Sequence, residues 1–285
     1  MAVTRVPYGR IAPTALAVAY RRSFSDIPYA AAVLNELERL RKASREPDLP
    51  AELKTTGIAP QLEARYKIVD RFIVESGASQ ILEIASGFSP RGLAMSEKGI
   101  DYVELDMPAV IAQKRKVLSG IKEKLPVTLS LQSGDATVLD DLEAAVARFD
   151  RSRPIAVVNE GLLRYLGFDE KARVARNVHS ILEQFGGVWI TPDVTLQKVL
   201  EREDALSHQK HTEALKEVTG VDIDKNRFDS VEAAKRFFEG LGFSIEVHSF
   251  MEVVDQLVSP KRLGISPVEV EKTIKDAVVF VMRLV

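Results

Sequence analysis

The chain has 285 residues, 39 basic and 41 acidic side chains, a net charge of −2 and no cysteine. That length can bury a full core as one domain with elaborations, and the closely mixed charge leaves no electrostatic footprint for nucleic acid or an anionic membrane surface. No apolar run approaches the roughly 20 residues that cross a bilayer, and the lack of cysteine excludes disulfides, thiolate catalysis and thiolate metal sites.

In chain order, Arg5 and Arg10 precede a moderately apolar stretch, 11–20, with A-x-A triplets that loosely imitates a secretory leader. Pro13 interrupts it, alanine rather than leucine dominates it, and Arg21-Arg22 follow at once, so a cytoplasmic location is expected. Residues 1–76 read as an N-terminal helical cap on the same domain. Within it, 28–44 places Ala31, Val33, Leu34, Leu37 and Leu40 near helical spacing. A proline- and threonine-containing loop runs to residue 60, and 61–76 predicts a helix with Ile68, Phe72 and Ile73 facing inward.

From residue 80 strands and helices alternate, the pattern of a parallel sheet. Strands are expected at 80–85, 101–105, 127–132, 154–159 and 187–191, with helices at about 90–98, 108–120, 138–149 and 169–185. A charged, helical insertion at about 194–229 is expected to act as a lid or substrate wall. An amphipathic helix, 230–241, is closed by Gly242; 243–250 alternates apolar with polar, whereas 277–281 is continuously apolar. Alternation fits a sheet edge and continuity a strand buried on both faces. The expected fold is α/β: a doubly wound, seven-stranded, mostly parallel sheet over 77–285, with an antiparallel C-terminal pair whose last strand inserts inward.

The turn after the first strand is the most informative local feature. The run 81–85 stops at Ser86-Gly87, where a missing Cβ lets a ligand approach the backbone. Ser89 and Pro90 look like a helix N-cap and first position, and Gly99 looks like the stop. A dinucleotide turn requires G-x-G-x-x-G, but those three positions hold Ala85, Gly87 and Pro90. Proline has no N–H to offer a pyrophosphate. The spelling suits S-adenosylmethionine better than a nicotinamide cofactor, although an ordinary strand–turn–helix also satisfies it.

Open sheets of this kind bind ligands beyond the carboxyl ends of their strands. There stand Asp106, about where a ribose-binding acid is expected (roughly 20 residues past the turn), then Asp135 and Ala136, Glu160, and Asp193. Asp106 can accept from ribose hydroxyls. Asp135 can accept from an adenine amino group, with the Ala136 amide donating to the ring. Glu83 and Glu160 can attract an ammonium. Helix capping is the alternative for each carboxylate. Arg65 could instead pair with Glu63 or Asp70 along its own helix, and Tyr165 could be a core aromatic. His208-x-x-His211 lacks a third ligand and reads as a solvated face, so no metal is expected.

Four ordered strings carry a family resemblance. NEGLLRYL (159–166) resembles the E-G-x-x-x-Y-L motif after the fourth strand of the leucine carboxyl methyltransferase family, which includes bacterial polyketide-type O-methyltransferases. LEARYKIVDRFI (62–73), VELDMPAVIAQKRKVL (103–118) and SGDATVLDDL (133–142) are similar to its arginine helix, its acid–proline–lysine segment and its adenine-side aspartate. The resemblance implies a class I methyltransferase that uses S-adenosylmethionine and releases S-adenosylhomocysteine. It implies Arg65 for the cofactor carboxylate, Asp106 for ribose, Asp135 for adenine, Gly87 in the turn beside Ala85, Glu160 near the amine, and Tyr165 near the acceptor. Two departures stand out: Ala85 replaces a usual glycine, and Ser89-Pro90-Arg91 replaces a D-T-R-like string.

Methyl transfer from a sulfonium needs alignment more than activation of the donor. A carboxylate acceptor is ionised already, whereas a phenol or alcohol needs a base, and no histidine follows the fourth or fifth strand closely. The expectation is an O-methyltransferase for a small molecule such as a natural-product carboxylate, oriented by Arg91 and Tyr165, with Arg164 beside them. A non-catalytic cofactor binder and a nicotinamide oxidoreductase are the alternatives. A homo-oligomer is compatible with the pattern, which specifies none.

Overall fold

The computed structural model describes residues 13–46, 48, 51–194, 196 and 223–285. The leader-like segment up to residue 12 and most of the expected lid, with His208 and His211, lie outside the described residues.

The strands β1 (Gln80–Ile84), β2 (Asp101–Asp106), β3 (Leu129–Ser133), β4 (Ile155–Asn159), β5 (Gly187–Thr191), β6 (Phe243–Ser249) and β7 (Val278–Leu284) form one sheet in the order β3-β2-β1-β4-β5-β7-β6. The first five pair in parallel, with Glu83 in register with Glu104 on one side and Val158 on the other. β7 lies antiparallel between β5 and β6, with Ile190 opposite Val281 and Val247 opposite Phe280. This is the insertion that the two contrasting C-terminal patterns imply. The continuous run of β7 is buried, while alternating β6 is the edge.

Eight of the ten described helices are needed to place the site and core: α1 (Pro13–Arg22), α2 (Ala30–Ala43), α3 (Ala59–Glu75), α4 (Arg91–Ser96), α5 (Pro108–Ile121), α6 (Leu139–Val146), α7 (Phe168–Phe185) and α8 (Val231–Glu239). The remaining two, α9 (Ser259–Leu263) and α10 (Pro267–Ile274), lie in the β6–β7 connection. α3 lays Ile68, Val69, Phe72 and Ile73 against Ile81, Val158, Ile190 and Val281 on one face of the sheet. On the other face, α7 buries Val174, Val178, Ile181 and Leu182 against Leu82, Val157 and Trp189, joined by Phe238 of α8. Burying apolar side chains on both faces is the main stabilising term in such an architecture.

The cap is fastened to this core at two places. Leu16, Ala17, Val33 and Leu37 pack with Phe88 of the β1 turn and Val117 of α5. Buried Glu63 on α3 accepts from the N–H groups of Val258 and Ser259 at 2.9 and 2.8 Å and pairs with Lys67 at 2.8 Å. Lys67 also pairs with Asp26 at 2.6 Å.

One feature under α4 is unusual for a parallel core. Glu104 and Lys114 are both fully buried and stand 2.5 Å apart. Burial pushes the Glu104 carboxyl up, to about 7, against the opposing pull of Lys114. Glu104 fits only because residue 92 is glycine: a Cβ there would lie 2.1 Å from Glu104 Oε1. Gly92→Ala is therefore expected to lower stability by about 1–3 kcal/mol through overpacking of a site that cannot relax into solvent. Urea denaturation monitored through Trp189 would measure it, and an unchanged midpoint would contradict the close packing.

Candidate functional site

At the carboxyl ends of β1, β2 and β4 the chain builds a cleft of about 360 Å³, a size typical of small-ligand sites. Its walls come from α1, from the start of α3, from the β1 turn 85–89, from Asp106 and Met107, and from 160–165 after β4. A second concavity, by Leu16, Tyr20 and Leu34, holds about 10 Å³ and is too small for more than a water.

The β1 turn reverses through left-handed backbone at Ala85 (φ +53°) and Gly87 (φ +50°). Glycine adopts this region without cost, and alanine does so against its Cβ. The turn aims the Gly87 N–H at Asp106 Oδ2, 2.7 Å away, while Met107 N–H donates to Oδ1 at 2.7 Å. Burial raises the Asp106 pKa, and these two amides act in the opposite sense. Each oxygen retains lone-pair capacity for a further donor.

Glu160 is the electrostatic centre. Its Oε1 receives Arg22 from α1 and Arg65 Nε from α3 at 2.8 Å, and its Oε2 receives Arg91 Nη2 at 2.9 Å. Burial alone would raise its carboxyl, but the three guanidiniums overcome that and hold it far below the usual carboxylate range. Arg91 is neutralised further by Glu83 and Asp70, each at 2.6 Å, and stacks 4.2 Å from the Tyr66 ring centroid. Arg22 and Arg65 thus share one carboxylate, which leaves surplus positive charge on that wall.

The loop bearing Glu160 is shaped from below. Asp193, 3% exposed, accepts from the N–H groups of Gly161, Leu162 and Leu163 at 2.7, 2.6 and 3.0 Å and from Asn159 Nδ2 at 2.8 Å. Asn159 Oδ1 in turn accepts from Trp189 Nε1 at 2.7 Å. This buried network presents Arg164 and Tyr165 on the short turn Leu163–Tyr165 at the cleft wall.

Arg65, Glu83, Ala85, Gly87, Asp106, Glu160 and Tyr165 all line the cleft. Glu83 is on its floor, with Oε1 paired to Arg91 and Oε2 accepting from Tyr102 at 2.9 Å. Asp135 and Ala136 sit beyond β3 outside the described lining. Asp135 Oδ1 accepts from the Thr137 N–H and hydroxyl, both at 2.8 Å, and the Ala136 carbonyl accepts from Asn177.

The expectation for Arg91 is corrected. Its side chain is fully buried, fully paired and absent from the lining, so it braces Glu160, Glu83 and Asp70 and cannot orient an acceptor. Arg65 pairs across the fold with Glu160, not along its helix with Glu63 or Asp70. Asp193 serves the loop rather than the rim.

Arg22 is the residue that sequence reasoning missed. The Arg21-Arg22 pair ending an apolar helix was its only local signal, and its partner is 138 positions away. Replacing Asp193 by alanine would strip the acceptor from three backbone N–H groups and one amide. A loss of about 2–4 kcal/mol is expected, on the scale of about 1–3 kcal/mol per unsatisfied buried group. Thermal and urea unfolding would measure this, and a variant within 0.5 kcal/mol of wild type (about the scatter of a neutral surface change) would contradict the network.

The profile of the leucine carboxyl methyltransferase family matches residues 12–179. Among curated relatives, a "Putative S-adenosyl-L-methionine-dependent methyltransferase" of Mycobacterium marinum is 29% identical over 181 residues, 60% of each chain. A similarly named protein of Frankia alni is 30% identical over 181 residues, 59% of this chain and 58% of that one. The match thus spans about 60% of the relatives' length. Among solved structures, a DUF574 family protein from Streptomyces avermitilis superposes with a TM-score of 0.57 at 14% identity, covering 95% of this chain and 96% of that one. Magnesium protoporphyrin IX methyltransferase from Synechocystis, with bound S-adenosylhomocysteine, gives 0.50 at 10% identity over 88% and 95%. These two likenesses show the shared fold, and the profile match over more than half of the sequence shows that the chain belongs to the leucine carboxyl methyltransferase family.

Proposed function

We propose that the chain is an S-adenosylmethionine-dependent O-methyltransferase acting in the cytoplasm on a small carboxylate. The observation that carries this reading is the charged wall of the cleft. Arg22 and Arg65, both in that wall, share the single carboxylate of Glu160. Two guanidiniums on one carboxylate leave donor capacity for a second anion, so the wall suits a ligand that brings its own carboxylate. The donor set fits a zwitterionic adenosyl ligand. Arg22 and Arg65 offer guanidinium donors to its carboxylate, and Glu160, ionised at any physiological pH, attracts its ammonium, with Glu83 behind. Asp106 meets the ribose hydroxyls, the Gly87 turn admits the ligand to the backbone, and Asp135 and Ala136 form the adenine side.

When bound, S-adenosylmethionine supplies a methyl group already activated on sulfur. The chain's own contribution is then position and exclusion of water. Leu53, Ile58, Phe88 and Leu162 supply apolar wall. Arg164 and Tyr165 face the remaining space and orient an acceptor anion. No histidine lines the cleft among the described residues, which favours an acceptor that is ionised without a base; carboxylic acids have a pKa of about 4.

Thermal shift with S-adenosylhomocysteine and with NAD separates this reading from a nicotinamide enzyme. Stabilisation by the former alone is expected. Arg22→Ala, Arg65→Ala and Asp106→Ala should each weaken S-adenosylhomocysteine binding about tenfold or more in calorimetry, equivalent to about 1.4 kcal/mol. Methyl-labelled cofactor incubated with a panel of aromatic and aliphatic carboxylic acids and phenols tests catalysis, with acids as the expected acceptors. Labelling of phenols alone would overturn the carboxylate assignment, and cofactor binding without turnover of any acceptor would favour a binder.

A further inference from the structure

One buried cation beside the cleft has no part in the roles above. Lys171, in the first turn of α7, is fully buried. Its Nζ donates to the Leu166 carbonyl at 2.9 Å and to the Asn226 carbonyl at 2.5 Å. It also lies 4.6 Å from the Phe168 ring centroid and 5.4 Å from that of Phe228, close enough for cation–π attraction.

The two carbonyls belong to chain segments 60 positions apart, and each sits at the end of a short 3₁₀ turn. Leu166 follows Leu163–Tyr165, which carries Arg164 and Tyr165, and Asn226 ends Ile223–Asn226. Carbonyls at such ends lack partners within the turn. Asn226 Nδ2 reaches back to the Arg164 carbonyl at 3.5 Å, a second tie between the same two turns. Burial pulls the Lys171 ammonium down, to about 8, with Asp193 and Glu170 opposing, so the ammonium is held there against a desolvation cost that methionine at this place would not carry.

We propose that Lys171 is a positioning residue for the acceptor side of the cleft, fixing the Leu163–Tyr165 turn against the Ile223–Asn226 turn so that Arg164 and Tyr165 face the acceptor. This rests on the reading of the cleft as a methyl-transfer site. It assigns Lys171 no contact with cofactor or acceptor.

The test compares wild type, Lys171→Met and Lys171→Arg. Amide hydrogen exchange should rise at least tenfold at 163–167 and 224–228 in Lys171→Met, with β1 and β4 protection retained. S-adenosylhomocysteine affinity should stay within twofold. For the carboxylic acid of the panel that is turned over fastest, KM should rise about tenfold with kcat within threefold, and Lys171→Arg, which keeps a cation with several donors, should recover most of the loss. Unchanged exchange at the two turns would overturn the proposal, as would a tenfold fall in S-adenosylhomocysteine affinity or exchange raised equally across the sheet. If no acid is turned over by the wild type, the carboxylate assignment fails separately, and exchange still decides whether Lys171 ties the turns.

Discussion

The arrangement turns on one buried carboxylate, Glu160, held by three guanidiniums from three helices. Arg22 ends α1, Arg65 lies in α3 and Arg91 opens α4, yet all three converge on the residue immediately after β4. A charge without its partners would be intolerable at this depth; breaking such a set by removing one partner typically costs about 3–5 kcal/mol. The helices therefore cannot shift independently of the strand end. What fastens the cap to the sheet also sets the position of two arginines on the cleft wall.

Glu160 is the last of a rank. Glu104 on β2, Glu83 on β1 and Glu160 beyond β4 lie on neighbouring strands of the same sheet face, with Glu83 and Glu104 in direct register. Parallel strands are about 4.8 Å apart, so like charges at these positions repel unless cations separate them. Lys114 meets Glu104, Arg91 bridges Glu83 and Glu160, and Gly92 makes room for Glu104. The rank is costly as a device for stability, since apolar packing of equal volume does as well or better. Its effect is to fix the floor of the cleft.

Much of the fold was legible because its strands follow simple burial rules. The continuous run ending at Leu284 and the alternating run before it called for an inserted β7 and an edge β6, and the sheet has both. Helix faces were equally plain: Ile68, Phe72 and Ile73 point inward as their spacing requires. The lining of the cleft was legible where position along a strand decides it, as for Asp106 and Glu160, and illegible where a long side chain chooses among distant partners. Arg91 sits where a ligand-facing residue is expected, but a guanidinium reaches far enough to prefer Asp70, Glu83 and Glu160 beneath it. Asp193 looked like another rim acid, and only the curl of 161–163 around it shows that its oxygens are taken by backbone amides. Periodicity carries no record of such choices.

The same geometry bears on how a zwitterion could enter a site already full of ion pairs. Arg22 and Arg65 share Glu160, so each is under-neutralised while the carboxylate is over-supplied. In the proposed reading, a ligand carrying both a carboxylate and an ammonium replaces these contacts by the same kinds of contact, carboxylate to guanidinium and ammonium to Glu160. Net charge at the floor is unchanged by that exchange, and little new desolvation is required of the arginines, which are already largely out of water. A ligand with only one of the two charges gains one set of contacts and forfeits the other, so the wall discriminates by charge pattern rather than by charge. On this argument the N-terminal cap is part of the binding chemistry: without Arg22 on α1, Glu160 keeps its ammonium-attracting side but the wall loses half of its exchangeable guanidinium.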